Sequence, residues 1–277
     1  MSLKKMLMEA AAPSDLIVTP RLDEWLARNP NIEPSQDVID RVIQAELGTE
    51  QRDRTNTFSA SARGSCARAQ VFYYTDIKAI PRLNADLHAI FHDGTFRHMR
   101  WQSWLLESGI LDDVEVSVQD DELWLTGTMD GEGTIPYEVA EAMSIHNPTK
   151  FGWELKGANS HSYRFILDKG PNANHLLQIH AYFLARPDLD VWSLCYENKD
   201  TQEVKEFTVY RDEKLLDEVR SEIEGLQAHV RSKILPPILS QCQKKQGPYK
   251  TCPFAHSCLS TLEWPKKRIK RVKSNGD

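Results

Sequence analysis

The period of apolar positions changes along the chain, and each change marks an element. Leu22–Ala27 is short and amphipathic, and Val38, Ile39, Val42 and Ile43 recur at helical spacing after Pro34-Ser35, so residues 1–60 read as a helical N-terminal region. A polar stretch from Gly48 to Ser61 breaks that pattern. Cys66–Tyr74 is then apolar and aromatic, and Leu87–Leu106 has the spacing of a long helix that stops before Gly109. His98 falls inside this helix.

The period next shortens to two. Val114-Glu-Val-Ser-Val118 alternates strictly, Leu123–Thr126 keeps the β character, and Phe151–Leu155 is a further short apolar run, which predicts three strands. Asp130 and Glu154 lie at the ends of the last two. Pro136 and Asn147-Pro148 mark an insertion between them, with a short helix over Tyr137–Met143. A helix over Asn174–Ala185, strands over Val191–Glu197 and Val204–Tyr210, and a long helix over Glu213–Ile234 follow, closed by Pro236-Pro237. The order predicts an α/β fold, a mixed sheet with helices packed on its faces. There are no internal repeats.

Composition narrows the class. At 277 residues, 40% hydrophobic and 27% charged, the chain can bury a core without disulfides, as one large domain or two small ones. Glu9 and Pro13 interrupt the N-terminal apolar stretch, and no segment reaches the length of a membrane span, so the expectation is a cytoplasmic or otherwise reducing compartment and no membrane partner. The net charge of -6 argues against attraction of the whole molecule to a polyanion; any nucleic-acid contact must use a local basic surface.

One constellation suits hydrolysis of a phosphodiester. That reaction requires an activated water and neutralised charge on the phosphate, tasks for hard divalent ions held by carboxylates. Asp130 and Glu154 supply the acids. In Glu154-Leu155-Lys156 the two charged side chains are two residues apart on a strand, so they share a face while Leu155 turns to the core. Gly127 and Gly131 flank the first acid, and Gly152 and Gly157 the second, permitting close approach of backbone or substrate. An ordinary cross-strand ion pair would give the same residues.

With its context the pattern becomes specific. Gly94-Thr-Phe-Arg-His98, Gly127-Thr-Met-Asp130-Gly131, Trp153-Glu-Leu-Lys156-Gly157 and Gln178-Ile-His-Ala-Tyr182 resemble the successive motifs of RecB-like PD-(D/E)XK nucleases. The resemblance implies the restriction-endonuclease-like core and Mg or Mn held by His98, Asp130, Glu154 and the backbone carbonyl of Leu155. It implies a catalytic Lys156, with Gln178 and Tyr182 supporting the site and contacting DNA. His161, His175 and His180 belong to none of these motifs and read as surface or core histidines.

Four cysteines enclose the segment: Cys66 before it, and Cys242, Cys252 and Cys258 after it. Soft thiolates drawn from both ends suggest a metal cluster apart from any hard-metal chemistry. Nine residues separate Cys242 from Cys252 and five separate Cys252 from Cys258, unlike the tight knuckles of common zinc sites. Ser65-Cys-Ala-Arg-Ala-Gln-Val-Phe-Tyr-Tyr74 and Cys252-Pro-Phe-Ala-His-Ser-Cys258 resemble the ligand segments of the family's iron-sulfur branch, which includes CRISPR-adaptation nucleases, AddB-type helicase-nucleases and phage exonucleases. That likeness implies a structural 4Fe-4S cluster. The gap after Cys242 departs from the branch, where it is commonly two residues. A zinc site of Cys242, Cys252, Cys258 and His256, and unliganded thiols, remain alternatives. Cys195, in an apolar strand, reads as a core thiol.

Candidate DNA contacts are Arg68, Arg63, Lys78 and Arg82 near the first cysteine, with Tyr73, Tyr74 and Trp101 as stacking partners or core residues. The tail Pro265–Lys273, including Lys266, Lys267 and Arg268, carries six cations that suit either phosphate contact or plain solvation. The expected organisation is a helical extension (1–60), a nuclease domain with the cluster segments (61–262) and a basic tail (263–277). The expected activity is Mg- or Mn-dependent exonucleolytic hydrolysis of DNA single strands or duplex ends, in recombination or repair, with recombination or helicase proteins as candidate partners. The alternatives are a non-catalytic DNA-binding or recombination partner, and a structure-selective endonuclease carrying zinc.

Overall fold

The computed structural model describes residues 11–12, 16–31, 33–47, 56–80, 85–143 and 149–265. A seven-stranded mixed sheet forms its centre, in the order β1-β7-β6-β5-β4-β2, with β3 also paired to β4. The strands are β1 (Ala11–Ala12), β2 (Phe58–Ser59), β3 (Asp113–Asp120), β4 (Leu125–Thr134), β5 (Lys150–Ala158), β6 (Val191–Asn198) and β7 (Val204–Tyr210). The α/β class and the mixed sheet flanked by helices match the sequence expectation. Among the described residues, no helix is long and apolar enough to cross a membrane.

Period-two patterning sorts side chains to two cores. On β5, Phe151, Trp153 and Leu155 enter one core, where Leu22 of α1 (Thr19–Arg28), Val42 of α2 (Gln36–Leu47) and Trp101 and Leu105 of α4 (Ala85–Glu107) meet them. The N-terminal helices therefore share the main domain's core. On the opposite face, Trp192, Leu194 and Tyr196 of β6 pack under α3 (Ala67–Tyr74), α6 (Ser160–Lys169), α7 (Ala173–Ala185) and α8 (Glu213–Ser232). Asn159 caps α6 by accepting the Ser162 N–H at 2.9 Å, Asn172 caps α7, and Asp212 caps α8. The short helix α5 (Tyr137–Ala142) lies where the insertion was expected.

Two features of the sheet create the site. β3 covers one edge of β4 from Asp113↔Glu132 to Asp120↔Leu125. The other edge is divided: β2 takes Leu125 and Thr126 in parallel, and β5 takes Gly131–Thr134 in antiparallel. Between them Gly127–Asp130 has no strand partner on that edge among the described residues, while β5 runs on beside β6 as far as Ala158. The sheet forks between β4 and β5.

The second feature is at Glu115, whose φ is +49°. A strand should keep residues 114, 116 and 118 on one face, yet Val114 packs in the first core and Val116 and Val118 against the second. The left-handed residue reverses the alternation, at a conformational cost that a β-strand rarely tolerates in a non-glycine residue.

Candidate active site

Side chains replace the missing ladder in the fork. Asp130 Oδ2 accepts the Leu155 N–H at 2.7 Å, and the Tyr182 hydroxyl donates to the Thr128 carbonyl at 2.5 Å. Because an extended residue directs its N–H and C=O to the same edge, the Leu155 carbonyl also faces the fork. Gly127 leaves room for the strap: a Cβ there would stand 2.6 Å from Tyr182 Cε1. The Tyr182 ring is stacked on Trp192, with centroids 5.3 Å apart.

Glu154 and Lys156 share one face of β5, as their spacing predicts. Lys156 Nζ donates to Glu154 Oε1 at 2.5 Å and to Gln178 Oε1 at 3.2 Å, while Gln178 Nε2 donates to Glu154 Oε1 at 2.8 Å and to the Tyr182 oxygen at 3.2 Å. The i, i+4 spacing of Gln178 and Tyr182 on α7 places both over the fork. On the other side His98 Nδ1 of α4 stands 3.7 Å from Asp130 Oδ1. Glu197 fixes that stretch of α4 to β6, accepting from Arg97 at 2.9 Å and from Trp101 Nε1 at 3.2 Å. The structure thus brings His98, Asp130, Glu154, Lys156, Gln178 and Tyr182 to one place.

Burial sets the protonation of the group. It pushes the Glu154 carboxyl up to about 7, aided by the Asp130 charge and opposed by Lys156 and His98. Burial works against the Lys156 ammonium, but Glu154 and Asp130 outweigh it and hold the group protonated, above its ordinary value. Burial, then the Glu154 charge, raise the Tyr182 phenol well above its usual range, so it remains a donor.

The sequence reading missed Glu115. Its carboxylate forms, with His98 and Asp130, the one group of three His, Cys, Asp or Glu ligand atoms within 4.8 Å of one another among the described residues; Glu154 stands outside it. Gln102, one turn beyond His98, donates to Glu115 Oε1 at 2.9 Å and to the Asp130 carbonyl at 3.0 Å. Burial and the Asp130 charge raise Glu115 to about 8. In a regular strand Glu115 would share a face with the residues flanking it by two, and the alternating pattern gives no sign of the reversal.

These donors fit a hard cation. Glu154 Oε2 is buried without a hydrogen-bond partner, and carboxylates crowd together at raised pKa, a repulsion that a divalent ion would offset.

The cysteines gather at the far side of α3. Burial raises the Cys242 thiol, and the charges of Cys66, Cys258 and Cys252 raise it further. Cys258 packs with Phe72 and Phe254 in a small third core, bordered by Cys252. A tetrahedral zinc, with Zn–S of about 2.3 Å, sets its sulfurs roughly 3.8 Å apart. Among the described residues no three cysteine sulfurs fall within 4.8 Å of one another. Cys195 is a buried core thiol, as expected.

Several expected DNA contacts take other places. Arg68 is not a surface cation: it is 4% exposed and donates to the Pro236 carbonyl at 2.6 Å and to the Cys258 and Thr261 carbonyls. Arg63 is also buried, against Gln70 and Glu222. Trp101 belongs to the core and Tyr74 stacks on Phe58. Tyr73 is 48% exposed and meets Phe254 edge-on. Arg82, Lys266, Lys267 and Arg268 lie outside the described residues. His180 is a core histidine bonded to the Leu176 carbonyl.

No family model and no curated protein matches the chain. Among solved structures it is similar to LHK-Exo in complex with dAMP, at 15% identity and TM-score 0.47, over 65% of this chain and 90% of that one. A structure described as an alkaline exonuclease (LHK-Exo) from Laribacter hongkongensis gives 16%, 0.45, 65% and 90%. The protein SSO0001 gives 17% identity and TM-score 0.45, over 82% of this chain and 96% of that one. Likeness of this degree carries no argument about activity, which must come from the site.

Proposed function

We propose that the chain is a metal-dependent DNA nuclease of the PD-(D/E)XK type. The observation that carries the reading is the fork itself: Asp130, Glu154 and Lys156 converge where β4 and β5 separate, with His98 on one side and Gln178 and Tyr182 on the other. Asp130, Glu154, His98 and the Leu155 carbonyl would hold Mg or Mn, with Glu115 beside them. The ion, when bound, polarises the phosphate and supplies an acidic water.

The remaining roles follow from protonation and geometry. Lys156, held protonated beside Glu154 and Asp130, orients water and neutralises the charge that grows on the phosphate. Gln178 keeps Glu154 and Lys156 in register. Tyr182 holds the fork open by occupying the backbone acceptor that a strand would otherwise take.

We further propose that Cys66, Cys242, Cys252 and Cys258 hold a structural 4Fe-4S cluster, supported by the electrostatic interaction of Cys242 with the other three. Hydrolysis moves no electrons, so the cluster's place is mechanical: it joins α3 to the C-terminal segment.

The test is cleavage of end-labelled linear DNA and of closed circular DNA by purified protein with Mg or Mn. Loss of label from linear strands, circles left intact, and no cleavage by Asp130→Asn, Glu154→Gln or Lys156→Ala is the expected result. Retention of intact DNA by folded, metal-loaded protein would instead make it a binding partner, and cutting of circles would make it an endonuclease.

A further inference from the structure

One carboxylate at the fork belongs to none of the sequence motifs. Glu115 lies on β3, outside the runs that carry His98, Asp130, Glu154 and Lys156, at the residue whose φ of +49° reverses the strand. It meets His98 of α4 and Asp130 of β4, with one ligand atom from each lying within 4.8 Å of the others.

The spacing suits a single ion. Ligands about 2.1 Å from an octahedral cation stand about 3.0 Å apart when adjacent and about 4.2 Å apart when opposite. The 3.7 Å between His98 Nδ1 and Asp130 Oδ1 falls in that span. Glu154 stands outside the trio, and its Oε1 is already taken by Lys156 and Gln178. The charges that act most strongly on Glu115 are those of Asp130 and of Glu46 from α2, and both are acids.

Two buried acceptors stand open beside the trio. Gln102 is fully buried; its Nε2 donates to Glu115 Oε1 at 2.9 Å and to the Asp130 carbonyl at 3.0 Å, while its Oε1 has no partner. Glu154, 2% exposed and under the charges of Asp130 and His98, has an Oε2 that is likewise without one. A hard divalent ion keeps several of its waters, and such waters are the donors that these acceptors lack.

We propose that His98, Glu115 and Asp130 hold a second divalent cation, apart from the ion on Glu154 and the Leu155 carbonyl, with Asp130 common to both. An imidazole with two carboxylates is a mixed nitrogen and oxygen set, which suits a transition-metal ion such as Mn2+ better than an all-oxygen set would. Gln102 positions Glu115 and accepts from a water of the ion. The left-handed backbone at residue 115 then has a use, delivery of the third ligand. The proposal rests on the nuclease reading, which supplies the first ion.

The number of bound Mn2+ ions is read from the loss of the free-ion paramagnetic signal as Mn2+ is added to the full chain without DNA. Glu115→Gln, which keeps the size of the side chain and removes its charge, should bind one ion fewer than wild type. Glu154→Gln should also bind one fewer, and the double variant two fewer. Ions held loosely on the surface are common to all these proteins and drop out of the differences. Glu115→Gly, which suits a positive φ, should lose the same ion while melting no lower than wild type, and so separates loss of a ligand from loss of the fold. An ion count unchanged in either Glu115 variant, or a double variant that loses only one ion, overturns the second site. Failure of the wild type to cut DNA with Mg or Mn overturns the nuclease reading instead, and leaves the ion count standing by itself.

Discussion

Asp130 Oδ2 accepts the Leu155 N–H at 2.7 Å, so the carboxylate proposed as a cation ligand also completes the backbone of the neighbouring strand. The two tasks separate on substitution. Asp130→Asn keeps an acceptor and loses the charge; it should unfold in urea within about 1 kcal/mol of wild type. Its cleavage rate should nevertheless fall at least ~100-fold, the scale of removing one group that stabilises a transition state. Asp130→Ala leaves a buried N–H without a partner and should lose about 1–3 kcal/mol of stability besides. Equal stability of the two variants would show that the Leu155 bond contributes nothing.

Tyr182 offers the complementary test. Tyr182→Phe preserves the stacking on Trp192 and removes the donor to the Thr128 carbonyl and the acceptor for Gln178 Nε2. The expected loss is about 1–3 kcal/mol, read from urea denaturation. A fall in kcat with little change in KM is expected as well, because Gln178 then loses one of the contacts that hold it against Glu154.

Gly127 makes the same point from the strand side. An alanine Cβ would meet Tyr182 Cε1 at 2.6 Å and Ala60 Cβ at 3.1 Å, and a ring stacked on Trp192 has little room to retreat. Gly127→Ala should cost about 1–3 kcal/mol by overpacking. It should reduce cleavage through displacement of the strap, although residue 127 itself carries no chemistry. A stable, fully active Gly127→Ala would show that the fork tolerates a moved Tyr182.

Acid stability follows from two neutral histidines. Burial and Lys156 lower His175 to about 3, and burial lowers His180, whereas both take a proton near 6.5 once unfolded. The unfolded chain binds more protons below that value, so stability is fully present above about pH 6.5 and is lost as pH falls through it. The slope for His175 approaches ~1.4 kcal/mol per pH unit, and His180 adds to it in the same direction. Glu154 and Glu115, raised to about 7 and about 8, work the other way and favour the folded state as pH falls through those values. The histidine part is therefore read as a difference: between about pH 7.5 and 5.5, His175→Gln should gain stability relative to wild type. An identical profile in that variant would remove His175 from the account.

What the sequence disclosed and what it concealed differ in kind. Glu154 and Lys156 were legible because a period of two fixes which residues share a face, and Leu155 duly lies in the opposite core. The spans of α4, α7 and α8 followed from apolar spacing. Glu115 was hidden because a single left-handed residue reversed a strand whose letters alternate without a break. α6 was missed as well: Ser160–Lys169 is largely exposed, its apolar residues are few, and its start is set by the Asn159 cap. Arg68 shows the reverse error, a cation assigned to the surface by its charge and taken inward by three carbonyls that need a donor.

The C-terminal clasp gives the last test. Its own core is small, built on Phe72, Phe254 and Cys258, and beyond it the ties to the domain include Arg68 with its three carbonyls and the Ile80 N–H, which donates to the Pro253 carbonyl at 2.9 Å. So little buried surface would leave the segment dependent on the cluster proposed for its cysteines. Protein purified without oxygen should be brown and contain iron and sulfide. Cys66→Ser should shed both, and protease should then cut within residues 233–262 while the sheet domain survives as a resistant fragment. Arg68→Lys keeps one charge but loses the planar fork that reaches several acceptors together, and should loosen the same segment with the cluster partly retained. Cys242→Ser decides whether the cysteine with the long following gap is a ligand, since a variant that keeps its full iron content excludes it. A colourless wild type containing one zinc would sink the cluster and leave the fork between β4 and β5, and the hydrolysis proposed for it, untouched.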